Sequence, residues 1–358
     1  MGRVCRNFEK STLYKGDYRM SQMDEIMKDL NKKFKDDLLH KGLSTFDYKR
    51  IPFTSPRLNY MTYGGLPMGK LIEFYGEEHG GKTTTALDVI SNYQRMEKSR
   101  GVLYADLENT LDTVWATKLG VDVDDMWILN PTNQGAETIF QYILDMISTG
   151  EIGLVVIDSL GVMVSNQALD KSVEEKTYGG IAMALTNFSK KAEMLCHKYN
   201  CTLIGINQMR DDLGSMYGGT TTVGGKAWKH NCSARLEFRM GKYFDENGKD
   251  LSRAAENPSG NYVMVAMKKN KTCKPDRRTG FYTLNYQIGI DYLSDLIEVA
   301  IKYEIIDKRG AWFNIIDTDT GEILAEKIQG QVNLRSYLEN ADNESVLTRI
   351  EELVENKI

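Results

Sequence analysis

The segment Gly76-Glu77-Glu78-His79-Gly80-Gly81-Lys82-Thr83 constrains this chain more than any other, because it follows an apolar run, Leu71 to Tyr75, and opens a helix-period stretch, Thr83 to Met96. A glycine-rich turn ending in Lys-Thr at a strand-to-helix junction frees backbone N–H groups to surround an anion and aims a helix N-terminus at it. A plain glycine-rich turn would not account for Lys-Thr at that place. Three further short apolar runs, Val102 to Ala105, Leu154 to Ile157 and Thr202 to Ile206, are each followed by turn or polar residues and then by a helix-period segment such as Gly180 to Tyr199. This alternation predicts an α/β fold with a mostly parallel central sheet, helices on both faces, and ligands at the carboxyl ends of the strands.

The residues at those strand ends suit phosphoryl transfer. In the glycine loop, Gly76, Glu77, Glu78, His79, Gly80 and Gly81 supply the cradle, Lys82 reaches the outer phosphates, and the Thr83 hydroxyl, followed by Thr84, ligates magnesium. Asp158 ends the third run, the expected place for a carboxylate that holds the same metal directly or through water. Glu108 lies just past the second run, where it is either a solvated loop acid or the acceptor of a proton from an attacking water. Gln208, at the end of the fourth run, is either a turn amide or a hydrogen-bond donor to a terminal phosphate. The pattern points to nucleotide binding.

Composition narrows the setting. The 358 residues carry 45 Lys+Arg against 50 Asp+Glu, a net charge of −5, so any nucleic-acid contact has to come from local clusters. Five cysteines without a Cys-x-x-Cys pair and four scattered histidines support neither a disulfide framework nor a zinc site, which suits a reducing cytosol. The longest apolar runs are too short to cross a bilayer, and a cytoplasmic protein without a membrane contact is expected.

Four segments are expected. Residues 1–20 form a loose extension. Residues 21–50 contain an amphipathic helix with Met23, Ile26, Met27, Leu30, Phe34 and Leu38 on one face and Ser21 as its cap, packed on its own domain or docked on a neighbouring subunit. Residues 51–288 form the α/β core. Residues 289–358 form a small α+β domain: a helix over Leu293 to Tyr303, a two-strand segment around Trp312 to Leu324 turning at Asp319-Thr320-Gly321, then helices.

Several stretches, in order and spacing, resemble the RecA family of DNA strand-exchange proteins from about Met23 to Ile358. They are Gly64-Gly65-Leu66-Pro67-Met68-Gly69-Lys70, the Gly-Glu-Glu phosphate loop, Lys118-Leu119-Gly120-Val121-Asp122, Ile206-Asn207-Gln208-Met209-Arg210 and Gly310-Ala311-Trp312. The resemblance implies a RecA-like P-loop ATPase core with an N-terminal helix for subunit docking, and ATP and Mg2+ as cofactors. It also implies a homo-oligomeric helical filament on single-stranded DNA that pairs with homologous duplex DNA in recombination and repair. Glu108 then resembles the water-activating glutamate and Gln208 the residue joining the γ-phosphate to a DNA loop. Asp112 and Trp115 fall where the family contacts adenine, Trp115 replacing a tyrosine with a larger stacking face. Lys269 and Lys271 match the lysines that reach a neighbour's ATP, as arginine fingers do elsewhere.

Two segments match the DNA-contacting loops, near Asn166 to Gly180 and near Met209 to Gly225. Tyr178, Gly180 and Lys191 are the candidates in and after the first. In the second they are Arg210, Leu213 as an apolar wedge between bases, Gly224, Gly225 and Lys226; its bland reading is a glycine-rich loop tip. Departures are equally plain. Ala184 stands where the family has a basic residue, Gly179 where it has a base-wedging methionine, and His230 where it has an interface phenylalanine. At the second, duplex-facing site Arg239 is present, but Met264 and Ala266 replace expected cations, leaving Lys242 and Lys249 to serve. A RecA-like motor, such as a ring helicase or remodelling ATPase, is the alternative; it should bring a ring-type linker, a large extra domain or a second ATPase copy. Lys268, Lys269, Lys271, Lys274, Arg277 and Arg278 crowd together with only Asp276 opposing them. DNA affinity is therefore expected from assembled subunits rather than from one.

Overall fold

The computed structural model describes residues 22–34, 48–169, 180–211, 219–252 and 254–358. The extension 1–20, Ser21, Leu38, Gly179, Tyr178 and Leu213 lie outside the described residues. A first unit ends at Tyr48 and contains helix α1 (Gln22–Phe34). Asp24 and Glu25 in its first turn and Lys32 and Lys33 in its last complement the helix dipole. Met23, Ile26, Leu30 and Phe34 recur at three- and four-residue steps and remain exposed, an apolar stripe on an otherwise charged helix.

The second unit, Lys49–Ile358, begins with β1 (Arg50–Ile51), helix α2 (Pro56–Thr62) and β2 (Leu66–Pro67), β1 and β2 pairing antiparallel. Ser55 caps α2 and Pro56 sits at its first position, where no N–H is needed. Then come β3 (Leu71–Gly76), α3 (Lys82–Met96), β4 (Gly101–Asp106), α4 (Thr113–Lys118), β5 (Met126–Leu129), α5 (Ala136–Ser148) and β6 (Ile152–Asp158). Short α6 (Asn166–Leu169), long α7 (Gly180–Lys198), β7 (Thr202–Asp211), β8 (Thr220–Thr222) and α8 (Gly225–Asn231) follow. The strands β9 (Ala234–Phe244), β10 (Asp250–Leu251), β11 (Gly260–Asn270), β12 (Thr279–Asn285) and β13 (Gly289–Ile290) complete the sheet.

Across the sheet the order is β13-β12-β11-β9-β3-β7-β6-β4-β5, parallel from β9 to β5 and antiparallel from β9 to β13. β3, β4, β6 and the first half of β7 are buried on both faces, which is why they read as short, mostly apolar runs. Leu154 and Val156 of β6 face the cluster under α3, whereas Val155 and Ile157 face the one under α5 and α7. Trp228 of α8 is fully buried against β7, where a Cβ on Gly205 would come within 2.5 Å of its Cζ2. Truncating such a tryptophan costs about 3–5 kcal/mol, so α8 is held firmly on the sheet.

The α/β class and mostly parallel sheet agree with the sequence reading, while the antiparallel extension was not anticipated. Arg235, Glu237, Arg239, Lys268 and Lys269 interrupt β9 and β11, so neither reads as a strand on hydrophobicity. The C-terminal part holds α9 (Tyr292–Lys302), a meander of β14 (Ile306–Arg309), β15 (Trp312–Ile316) and β16 (Ile323–Gln329), then α10 (Gln331–Glu339) and α11 (Glu344–Glu355). Its own core gathers Leu296, Ile306, Phe313, Ile315, Leu334 and Leu353. The two-strand expectation is corrected to three: β14 is Ile-Asp-Lys-Arg, with a single apolar residue to signal it.

Candidate functional site

The loop between β3 and α3 is shaped by sterics before chemistry. Gly76 has φ 149, and a Cβ there would lie 2.0 Å from Phe238 O; Gly81 has φ 88 and caps α3. His79 adopts φ 56, folding the loop back so that Gly80 N–H donates to Glu77 O at 3.2 Å. The Lys82 ammonium lies inside this loop, donating to Glu77 O (2.6 Å) and Gly76 O (3.2 Å). Burial lowers its pKa, opposed by the nearby Asp158 and Glu108 carboxylates.

Asp158, at the end of β6, accepts from Thr83 Oγ1 (2.8 Å) and from Tyr104 Oη (2.9 Å), both at Oδ2. Burial raises its pKa, while those two hydrogen bonds work against the rise. A hydroxyl and a carboxylate at this distance are hard oxygen donors, as Mg2+ prefers beside phosphate and water. One oxygen of Glu108, Oε1, accepts from Ser159 Oγ (2.5 Å) and from Gln208 Nε2 (3.3 Å). Carboxyl ends of β3, β4, β6 and β7 thus bring together Lys82, Thr83, Glu108, Asp158 and Gln208, five of the residues singled out in the sequence.

The base-side candidates behave differently. Trp115 Nε1 donates to Thr84 Oγ1 at 3.4 Å, tying α4 to the phosphate-loop helix. Asp112 is exposed and caps α4, accepting from Trp115 N at 2.9 Å. On the other side of the loop a cavity of about 410 Å³ runs from His79 to Thr84 and out to Tyr243, Asn261, Leu284 and Tyr286. Tyr286 Oη donates to Asn261 Oδ1 at 2.8 Å, which fixes its ring at the rim. Sequence reasoning missed these residues, together with Tyr104 and Ser159. They sit on strands and turns whose register, not composition, brings them to the loop.

Lys269 and Lys271 are not near their own phosphate loop. Lys269 is in register with Arg235, itself in register with Glu73, back toward the start of β3. Lys269 Nζ donates to the carbonyls of Lys229 (2.8 Å) and His230 (2.6 Å), and Lys271 Nζ to that of His230 (3.1 Å), at the C-terminus of α8. Burial and the neighbouring Lys271 charge lower the Lys269 pKa.

Of the DNA candidates, Arg210 is exposed near the end of β7 in register with Thr221, and Gly224, Gly225 and Lys226 begin α8. Gly224 has φ 102, and a Cβ there would fall 2.2 Å from Leu185 Cδ2, so the second loop's end is seated on α7 just after Gly180. Lys191 is exposed on α7, eleven residues or about 16 Å beyond Gly180 along the helix axis. Ala184 is buried in the core, an environment that suits alanine. Arg239 pairs with Glu237 (2.8 Å) and Lys242 with Asp250 (2.6 Å). No helix among the described residues is long and apolar enough to cross a membrane.

Comparison with known proteins adds independent findings. A family model described as RecA N-terminal domain matches residues 21–291, and one described as RecA C-terminal domain matches residues 294–358. The chain is similar to Protein RecA of Fusobacterium nucleatum subsp. nucleatum, 33% identical over 311 residues that cover 86% of this chain and 76% of that protein. It is likewise 33% identical to Protein RecA of Ruminococcus albus over 307 residues, 85% of this chain and 72% of the relative. Protein RecA of Clostridioides difficile matches at 33% over 293 residues, 81% and 78% of the two chains.

Proposed function

Because the chain belongs to the RecA family, whose members are DNA-dependent ATPases of recombination and repair, we propose that it hydrolyses ATP with Mg2+ as a helical filament on single-stranded DNA and pairs that strand with homologous duplex. The bacterial relatives support a cytoplasmic setting, in a bacterium or a phage-infected host. The observation that carries the reading is the bond pattern joining Thr83 to Asp158 and Glu108 to Gln208 at adjoining strand ends. Residues 51–288 then serve as the ATPase core with its DNA loops and 289–358 as an appended domain, with the helical segment 21–50 docking on a neighbouring subunit.

In this reading the backbone N–H groups of residues 76–81 and the N-terminus of α3 receive phosphate, and Lys82 exchanges its two loop carbonyls for phosphate oxygens. Thr83 and Asp158 hold Mg2+, which when bound offsets charge on the phosphates. Tyr104 keeps Asp158 aimed at Thr83. Ser159 and Gln208 both donate to Oε1 of Glu108, so Oε2 is the oxygen positioned to take a proton from the attacking water. Gln208 lies between that carboxylate and β8 and reports whether a terminal phosphate is present. Trp115 and Asp112 on one side, and Tyr286 on the other, flank the base. Lys269 and Lys271 leave the α8 carbonyls to meet a neighbour's ATP, so hydrolysis requires assembly.

The ring-motor alternative is not favoured, since both family matches are recombinase domains. Glu108→Gln tests the site: the variant retains ATP and single-stranded DNA binding while steady-state turnover falls by about 10²–10⁴. Turnover at the parent rate would contradict the role of Glu108.

A further inference from the structure

Beside the second DNA loop the sheet carries charge where neighbouring strands carry valine and leucine. Glu73 of β3 and Asn207 of β7 are both fully buried, and Arg235 of β9 lies in register with Glu73. Asn207 Nδ2 donates to Glu73 Oε1 at 3.0 Å, and Arg235 Nε donates to Glu73 Oε2. The other arm of the guanidinium reaches Thr222 Oγ1 at 3.5 Å, and its Cζ lies 4.6 Å from the Tyr75 ring centroid. Asn207 Nδ2 also donates to Val223 O at 2.8 Å, and Asn207 Oδ1 accepts from Gln208 N at 3.0 Å.

Stability does not explain this arrangement. A buried ion pair is commonly no more stable than a well-packed apolar pair of the same volume, because desolvation offsets the attraction. What the pair supplies is orientation. With Glu73 and Val223 both acceptors, only one setting of the Asn207 amide satisfies every bond, and that setting presents Oδ1 to the Gln208 N–H. The network also sits where β7 changes partners, pairing with β3 through Gln208 and with β8 from Met209 onward.

We propose that Glu73 and Arg235 are positioning residues that couple the Glu108–Gln208 pair to the end of the second DNA loop at Thr222–Gly224. A shift of Gln208 relative to Glu108 displaces its N–H from Asn207, and Asn207 cannot follow without pulling on Val223 and on the pair that holds Thr222. The phosphate site and the DNA loop are thereby linked through buried polar groups. The proposal rests on the DNA-dependent ATPase reading above.

The test compares the parent with Glu73→Gln/Arg235→Met, which removes both charges at nearly constant volume, and with Arg235→Lys, which keeps Glu73 paired but loses the arm to Thr222. Melting temperature, the ratio of ATP hydrolysis with and without single-stranded DNA, and DNA affinity with a non-hydrolysable ATP analogue against ADP are measured. The double variant is expected to melt near the parent while the ratio falls by about fivefold or more and the nucleotide dependence of DNA affinity is lost. Arg235→Lys moves both readouts in the same direction, and it decides the matter if the double variant does not fold. Parent-like ratios in a folded variant, or losses that merely follow melting temperature, overturn the proposal. A parent that single-stranded DNA does not stimulate overturns the functional reading itself.

Discussion

Asp295 is fully buried between α2 and β12, accepting from Ser55 Oγ (2.5 Å), Thr283 N (3.2 Å) and Thr283 Oγ1 (3.1 Å), with Arg57 3.8 Å away. Burial pushes its carboxyl from 3.8 up to about 7. The folded chain therefore holds this proton more tightly than the unfolded chain, so its contribution to stability is full below about pH 4 and declines as pH rises to about 7. Asp88, raised by burial to about 6, adds a slope of the same sign. Asp295→Asn, which imitates the protonated acid, should raise the melting temperature more at about pH 8 than at about pH 5; equal changes at both would remove Asp295 from the account. At this scale the sequence located residues at or just past the end of an apolar run, as Asp158, Glu108 and Gln208 are. It was silent on Tyr104, Ser159, Tyr286 and the Glu73–Arg235 pair, whose roles depend on which strands lie side by side.

Among the elements, α8 and its approach show how tightly the second loop's end is built. Gly224 and Gly225 both have positive φ, 102 and 68, but a Cβ on Gly224 would strike Leu185 of α7 whereas nothing lies within 4 Å of one on Gly225. Backbone strain in the left-handed region costs about 1–2 kcal/mol at either site, and overpacking adds about 1–3 kcal/mol at the first. Urea unfolding of Gly224→Ala and Gly225→Ala should therefore show the larger loss at Gly224; equal losses would mean that the seat on α7 contributes nothing. The parallel strands β3, β4, β6 and β7 were legible as apolar runs, and α3 and α7 as helix-period stretches, whereas the short edge strand β5 was not read. The strands β9, β11 and β12 were not, because charged residues in the first two and Thr, Gly and Asn in the third leave no periodic signal strong enough to separate strand from loop.

For the whole molecule, the −5 net charge and the placement of the cations lead to the same conclusion. In one subunit Lys269 and Lys271 serve the carbonyls of α8, away from the phosphate loop, while Arg210 and Lys226 offer few charges to a DNA strand. On the proposed function, the exposed apolar stripe of α1 is the surface through which copies join, and both catalysis and DNA affinity are properties of the assembly. Family membership was legible in the order of several motifs, but the separation of the two lysines from their own site emerged only from strand register. The most direct measurement is steady-state ATP hydrolysis over a range of protein concentrations, with and without single-stranded DNA. The account predicts a rate per subunit that rises cooperatively with concentration and is increased about tenfold or more by DNA, a modest share of the roughly 10³–10⁵ that trans-acting cations contribute in other nucleotide hydrolases. A rate per subunit indifferent to both DNA and concentration would contradict it.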